Sequence, residues 1–217
     1  MLLACGGCDM LFQLDRVKQA DADTAPPDVM VDARPPPCAP SLDITFDNTD
    51  VCAPWGDVIA NHTVVTQGGG KLTVQPSIQA EAFGGCSAKG ITPLTPDGII
   101  VEVEKVLGTG YTVLNLGNGT DLQIMAAGDR LRMSSTDGMM IWSDMPEPLY
   151  SPSAMRWWRL RRYSPSDVIA EYSADAMTWK RLGVHANMSA AVAPFLTAGG
   201  SADGLDTAVF RRLIMCN

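Results

Sequence analysis

Two glutamates one residue apart, Glu102 and Glu104, are the clearest pair in the chain whose types and spacing could do chemistry. They sit in Ile99-Ile100-Val101-Glu102-Val103-Glu104-Lys105-Val106, which alternates apolar and polar after its first residue. Alternation puts both carboxylates on one face of a strand. Two carboxylates on one face are what glycoside hydrolysis uses, one as acid and one as base or nucleophile. The same pattern also fits the solvent-facing half of a strand whose other half is buried. The two histidines, His62 and His185, fall at loop or strand ends without ligand-spaced partners and read as surface residues. No Gly-x-Ser-x-Gly elbow occurs, so a serine nucleophile has no support. Gly68-Gly69-Gly70 follows a strand-like stretch but opens no helix, which makes it a turn rather than a phosphate loop. Cys5-Gly6-Gly7-Cys8 has C-x-x-C spacing but lacks the second pair of a zinc site and the βαβ setting of a redox motif.

Strands must position these residues, because from Leu42 onward the hydrophobic period is two. Strands are predicted at 42–46, 63–67, 71–75, 99–106, 112–116, 121–125, 130–134, 156–163, 168–173, 178–184 and 208–215. Turn residues separate them, among them Pro96-Asp97-Gly98, Gly117-Asn118-Gly119 and Ser164-Pro165-Ser166-Asp167. Many short strands with regular turns predict an all-β sandwich or barrel. One helical turn is expected at Asn187 to Ala193, and no longer amphipathic helix is present. The length of 217 residues suits one medium domain plus a tail. Sixteen basic against 24 acidic residues give a net charge of −8, which argues against nucleic acid as a partner.

The tail divides at residue 18. Residues 19–40 run through Ala-Pro-Pro-Asp and Arg-Pro-Pro-Pro without an aromatic. Such a stretch cannot bury enough apolar surface to offset its ordering entropy, so a disordered, extended spacer is expected. Met10, Leu11, Leu14 and Val17 have helical spacing over too few residues to stand alone. Leu2-Leu3-Ala4-Cys5 resembles a bacterial lipobox, which implies lipidation of Cys5. An export peptide needs a basic start and an apolar run, so the true start is expected upstream of Met1. Residues 1–18 then read as the remnant of signal and anchor, and 41–217 as the exported domain. No run approaches the ~18 apolar residues of a transmembrane helix. The expected location is the cell envelope, as an outer-membrane lipoprotein facing periplasm or exterior. Four domain cysteines, Cys38, Cys52, Cys86 and Cys216, predict two disulfides, with three connectivities open.

The segment Arg156-Trp157-Trp158-Arg159-Leu160-Arg161, a turn, then Val168-Ile169-Ala170-Glu171-Tyr172-Ser173-Ala174-Asp175-Ala176-Met177-Thr178-Trp179 resembles the strand–hairpin–strand of concanavalin A-like (laminin G, lectin and glucanase) jelly-roll domains. The likeness is specific over 156–182 and general over 41–215, with Phe46-Asp47 and Val209-Phe210 where first and last strands fall. Together with the tail, the chain resembles a bacterial, myxobacterial-type lipoprotein. Ala176 stands where the pattern prefers Gly, so a different hairpin turn is expected. The resemblance implies an antiparallel jelly-roll sandwich whose first and last strands are neighbours, hence Cys38–Cys216 and, by remainder, Cys52–Cys86. On a strand Trp158 and Leu160 share one face and Trp157, Arg159 and Arg161 the other. One tryptophan is expected in the core with Trp179 beside it, and the arginines opposite an acid such as Glu171. Alternatively Trp157, Arg159 and Arg161 line a ligand face, with the ring stacking on sugars and the guanidinium forks taking acidic groups.

Glycanases of this type carry Glu-x-Asp-x-x-Glu. The nearest match, Glu102-Val103-Glu104-Lys105-Val106-Leu107, has Glu for Asp and loses the third carboxylate to Leu107. Laminin G-like domains often bind calcium, and Asp43, Asp47, Asn48 and Asp50 cluster, but at no defined calcium-loop spacing. No cofactor is expected, calcium being the one ion left open. The expectation is therefore a non-catalytic, lipid-anchored module for carbohydrate or another cell-surface ligand. The alternatives are a glycan hydrolase on the same fold, or a structural or adhesive protein with a protein partner.

Overall fold

The computed structural model describes residues 38–117, 122–135, 147–186, 191–200 and 203–217. Cys5, Cys8 and the spacer up to residue 37 lie outside these, as does most of the helical turn expected at 187–193. The described residues form fifteen strands and no helix: β1 Pro40–Ile44, β2 Gly56–Asn61, β3 Thr63–Gly68, β4 Lys71–Pro76, β5 Phe83–Ala88, β6 Thr92–Pro93, β7 Ile99–Lys105, β8 Tyr111–Gly117, β9 Leu122–Ala127, β10 Arg130–Ser135, β11 Trp157–Arg162, β12 Val168–Ser173, β13 Lys180–His185, β14 Ala191–Gly199 and β15 Ala208–Cys216. None of the described segments is a helix long and apolar enough to cross a membrane.

Two antiparallel sheets result. One has eight strands in the order β13-β12-β11-β7-β15-β4-β3, with β1 also paired to β15. The other has seven in the order β10-β9-β8-β14-β5-β2, with β6 also paired to β14. Period-two alternation explains why they stack. Val101 and Val103 of β7, Trp158 and Leu160 of β11, Leu114 and Leu116 of β8 and Ile124 of β9 all point into one shared core. Both disulfides join the pairs expected, Cys38–Cys216 and Cys52–Cys86. The first ties the entry to β1 to the end of its neighbour β15, so first and last strands do adjoin.

Four features depart from expectation. Ala191 to Ala193 open β14 instead of a helical turn. Pro194 lies between the stretch of β14 paired to β6 and the stretch paired to β5, where a missing N–H disrupts neither ladder. β2 and β5 are absent from the predicted strands. A Cβ on Gly85, whose φ is 149°, would lie 1.9 Å from the Leu196 carbonyl oxygen, so the close strand approach requires glycine there. His185 is wholly buried on β13 rather than at the surface. The β12–β13 hairpin keeps the left-handed residue that the Gly preference implies: Ala176 has φ 59°, a strain of about 1 kcal/mol, while its methyl is buried.

Candidate functional site

The outer face of the eight-stranded sheet carries the Trp/Arg signature. Strand pairing lines up Ile214, Ile100, Arg159 and Glu171 across β15, β7, β11 and β12. Trp157 is 4% exposed and packs with Ile100, Ile214, Ala176 and Cys216, against Cys38 and Trp179. A second small apolar cluster thus lies outside the sheet, under the 174–179 hairpin. Of the adjacent tryptophans Trp158 is the one in the main core, and Trp179 joins Trp157 on the opposite side of the sheet, a correction to the expected pairing of Trp179 with the core ring.

Glu171 closes this face. Its Oε2 accepts from Arg159 Nε and Arg161 Nε, each at 2.8 Å, and its Oε1 from Arg161 Nη2 at 3.1 Å. The Arg159 guanidinium also lies 4.0 Å above the Trp179 ring, a cation–π contact. Burial lowers the Arg159 pKa against the opposing pull of Glu171, whereas the Glu171 hydrogen bond raises that of Arg161. A ligand face would need an open ring and free forks. Here the Trp157 ring is covered and both forks are engaged by Glu171.

Glu102 and Glu104 share this face, as alternation predicted, but each is held by cations. Glu102 is buried and accepts from Arg156 Nε at 2.6 Å. Glu104 meets Lys71 at 3.0 Å and also Arg211. Burial pushes the Glu104 carboxyl up, but the hydrogen bonds from Lys71 and Arg211 outweigh it and hold it below its ordinary value. The acidic cluster near the domain entry is likewise engaged within the protein. Asp43 pairs with Arg212 at 2.6 Å, Asp47 accepts from Thr45, and Asn48 is held by Gln67. Among the described residues no three His, Cys, Asp or Glu side chains converge as metal ligands.

The seven-stranded sheet presents a different outer face. Its outward residues form three lanes running across the strands, because directly paired residues share a face. The first lane is Asp57, Ser87, Phe195, Asn115, Gln123 and Ser134. The second is Ile59, Gly85, Thr197, Val113, Met125 and Arg132, and the third is Asn61, Phe83, Gly199, Tyr111, Ala127 and Arg130. Lanes are two residues apart along each strand, about 7 Å. The middle lane is small and apolar at Gly85 and Val113. Three rings, Phe83, Tyr111 and Phe195, flank it on β5, β8 and β14. Gln123 Nε2 donates to Ser134 Oγ at 2.7 Å.

Two polar atoms on this face are buried without a hydrogen-bond partner, Asn115 Oδ1 and Arg132 Nε. Arg132 Nε is ion-paired with Glu147 at 3.8 Å, beyond hydrogen-bond reach. A buried polar group without a partner is rare enough to require an explanation. Both flank β9, Asn115 from β8 opposite Gln123 and Arg132 from β10 opposite Met125, in neighbouring lanes. Sequence reasoning did not select these residues. The available signal was Asn115, an amide at an outward position in the otherwise apolar Val113-Leu114-Asn115-Leu116. A separate shallow hollow of about 310 Å³ beside β3, lined by His62, Val64, Gln75 and Gln79, contains no ring of the three and no carboxylate.

The sequence matches no protein-family model and no curated protein. Solved structures match it in fold. Porphyranase B from Zobellia galactanivorans superposes with a TM-score of 0.54 at 8% identity, over 80% of this chain and 89% of that one. A structure described as an endo-acting O-glycanase of the human gut microbiota gives 0.56 at 11% identity, over 82% and 100%. A glycosyl hydrolase family 16 protein from Mycobacterium smegmatis gives 0.52 at 10% identity, over 81% and 99%. At such identities the likeness is one of architecture, and the chain is a jelly-roll β-sandwich of the concanavalin A-like type.

Proposed function

We propose that this chain is a glycan-binding module that holds its ligand across the outer face of the seven-stranded sheet without cleaving it. The observation that carries the reading is the pair of buried atoms without a hydrogen bond among the described residues, Asn115 Oδ1 and Arg132 Nε, beside a small apolar lane edged by three aromatic rings. A sugar offers what such a place lacks: hydroxyls that both donate and accept, and an apolar ring face for stacking. The proteins of like fold bear the names porphyranase, O-glycanase and glycosyl hydrolase, which agrees with a carbohydrate ligand. Binding without hydrolysis is favoured because the one carboxylate pair at suitable spacing is ion-paired. Glycoside cleavage needs one carboxyl free to donate a proton and another free to meet the sugar, whereas Glu102 is tied to Arg156 and Glu104 to Lys71 and Arg211. We further propose that Cys5 is the lipid-anchoring residue and that residues 19–37 space the domain from an envelope membrane.

The test is a polysaccharide binding screen on the whole chain, with and without calcium, reading hydrolysis products in parallel. Saturable binding without products is expected. Phe195→Ala and Asn115→Ala should each weaken it about tenfold, the size of one lost stacking or hydrogen-bonding contact of ~1.4 kcal/mol. Products that disappear in Glu102→Gln would establish the hydrolase instead. Absence of any glycan binding would favour a protein partner.

A further inference from the structure

Residues 1–37 join the sandwich at Cys38, two residues before β1, and β1 is a weak place to attach a tail. It is a five-residue strand paired on one edge only, to β15, with an irregular register between Pro40 and Leu42. Pulled from its first residue, such a strand opens one pair at a time. The Asp43–Arg212 ion pair and the bond from Ser41 Oγ to Met215 O would be met in succession rather than together.

We infer that the Cys38–Cys216 disulfide is a mechanical clamp, which passes tension on the N-terminal segment directly into β15 and bypasses β1. The bond joins the entry residue to the end of β15. β15 lies inside the eight-stranded sheet, paired along Val209 to Met215 with β7, along Ala208 to Phe210 with β4, and with β1 as well. The entry and exit of the sandwich meet at this point: Asn217 N donates to Ala39 O at 3.0 Å, and Cys216 N to Gly98 O at 2.9 Å. A load entering at residue 37 and a load entering at the C-terminus therefore act on the same strand end. Only the purpose of the clamp rests on the proposed tether. The load path belongs to the fold, so failure to lipidate Cys5 would remove the anchor reading and leave the force result unchanged.

The experiment is single-molecule pulling of the whole oxidised chain against a bioorthogonal handle at exposed Lys89. The second handle is placed at the N-terminus in one set and the C-terminus in the other. In the wild type, both directions should give the same unfolding-force distribution. In Cys38→Ser/Cys216→Ser, the N-terminal pull should gain an early low-force step. Releasing residues 38–44 at ~3.4 Å per residue frees about 24 Å of chain contour in that step. The C-terminal pull should be unchanged, because a cross-link acts mostly on the unfolded ensemble and this load never passes through β1. An early step in the wild type, or equal weakening in both directions, would overturn the inference. Should the double variant not fold, Asp43→Ala with the disulfide intact serves in its place. It loosens β1, yet the clamp predicts an unaltered N-terminal pull, and a new early step would count against it.

Discussion

Replacing Glu171 by alanine separates the two readings of the arginine row. The Glu171 side chain is 7% exposed, against 14% for Arg159 and 24% for Arg161. Its removal leaves two adjacent guanidiniums, both largely out of water, without the carboxylate that holds them 2.7–2.8 Å away. Breaking a fully buried pair typically destabilises by 3–5 kcal/mol. Both arginines keep some access to water, and Arg159 keeps its stacking on Trp179, so the low end applies, about 3 kcal/mol. For a chain of this size that lowers the melting temperature by roughly 6–12 °C. Thermal and urea unfolding of the oxidised protein, followed by tryptophan fluorescence, would measure it. Arg159→Ala combined with Glu171→Ala should be less destabilising than the sum of the single changes, since the pair is lost only once. A loss within about 0.5 kcal/mol, the size of an exposed surface pair, would refute the reasoning. It would mean that water already serves both forks and that a ligand could use them.

Two further outcomes follow from the same face. Trp157→Ala should cost about 3–4 kcal/mol, as for other buried tryptophans, and leave glycan affinity intact once the protein is folded; impaired binding with unchanged stability would return Trp157 to the ligand site. Glu104 has a native pKa below its unfolded value, so its contribution is complete above about pH 4.5 and is lost as pH falls through the lowered native value. Urea midpoints of wild type and Glu104→Gln measured between pH 2 and 7 should accordingly converge towards acid; a difference independent of pH would contradict the assignment.

The parts of this fold that were readable in advance are those where side-chain alternation is strong. β7, β9 and β11 announce themselves because Val, Ile, Leu or Trp alternates with charged or amide residues. β5 and β14 do not, because what qualifies them as strands is tertiary. Gly84 and Gly85 are needed for close approach to neighbouring strands, and Pro194 is tolerated only because its unpaired edge falls between two partners. The site divides in the same way. The Arg159–Glu171 contact was visible because both residues lie on one hairpin. The lane of Gly85, Thr197, Val113 and Met125 was not, because its members come from four strands that only the sheet order brings together.

A β-sandwich has two outward faces in the same water, and each must be polar, covered or occupied. The eight-stranded sheet uses the first two solutions together. The 174–179 hairpin and the Cys38–Cys216 bond cover its apolar centre, and Glu171, Glu102 and Glu104 neutralise the arginines around it. That is why its most conspicuous residues, two tryptophans and a row of arginines, are poor candidates for recognition: their binding capacity is already satisfied within the chain. The seven-stranded sheet has no comparable closure among its described residues. Its central Val113 is 3% exposed while Phe83, at the rim, is 37% exposed, the gradient of a floor and its edge. Among the described residues the Asn115 oxygen and the Arg132 Nε at that floor lack hydrogen bonds, the latter keeping only a 3.8 Å ion pair with Glu147. Each would cost about 1–3 kcal/mol if left so, and a ligand bearing its own donors and acceptors would recover that free energy on binding. The face that sequence made least conspicuous is thus the one on which the proposed glycan reading rests.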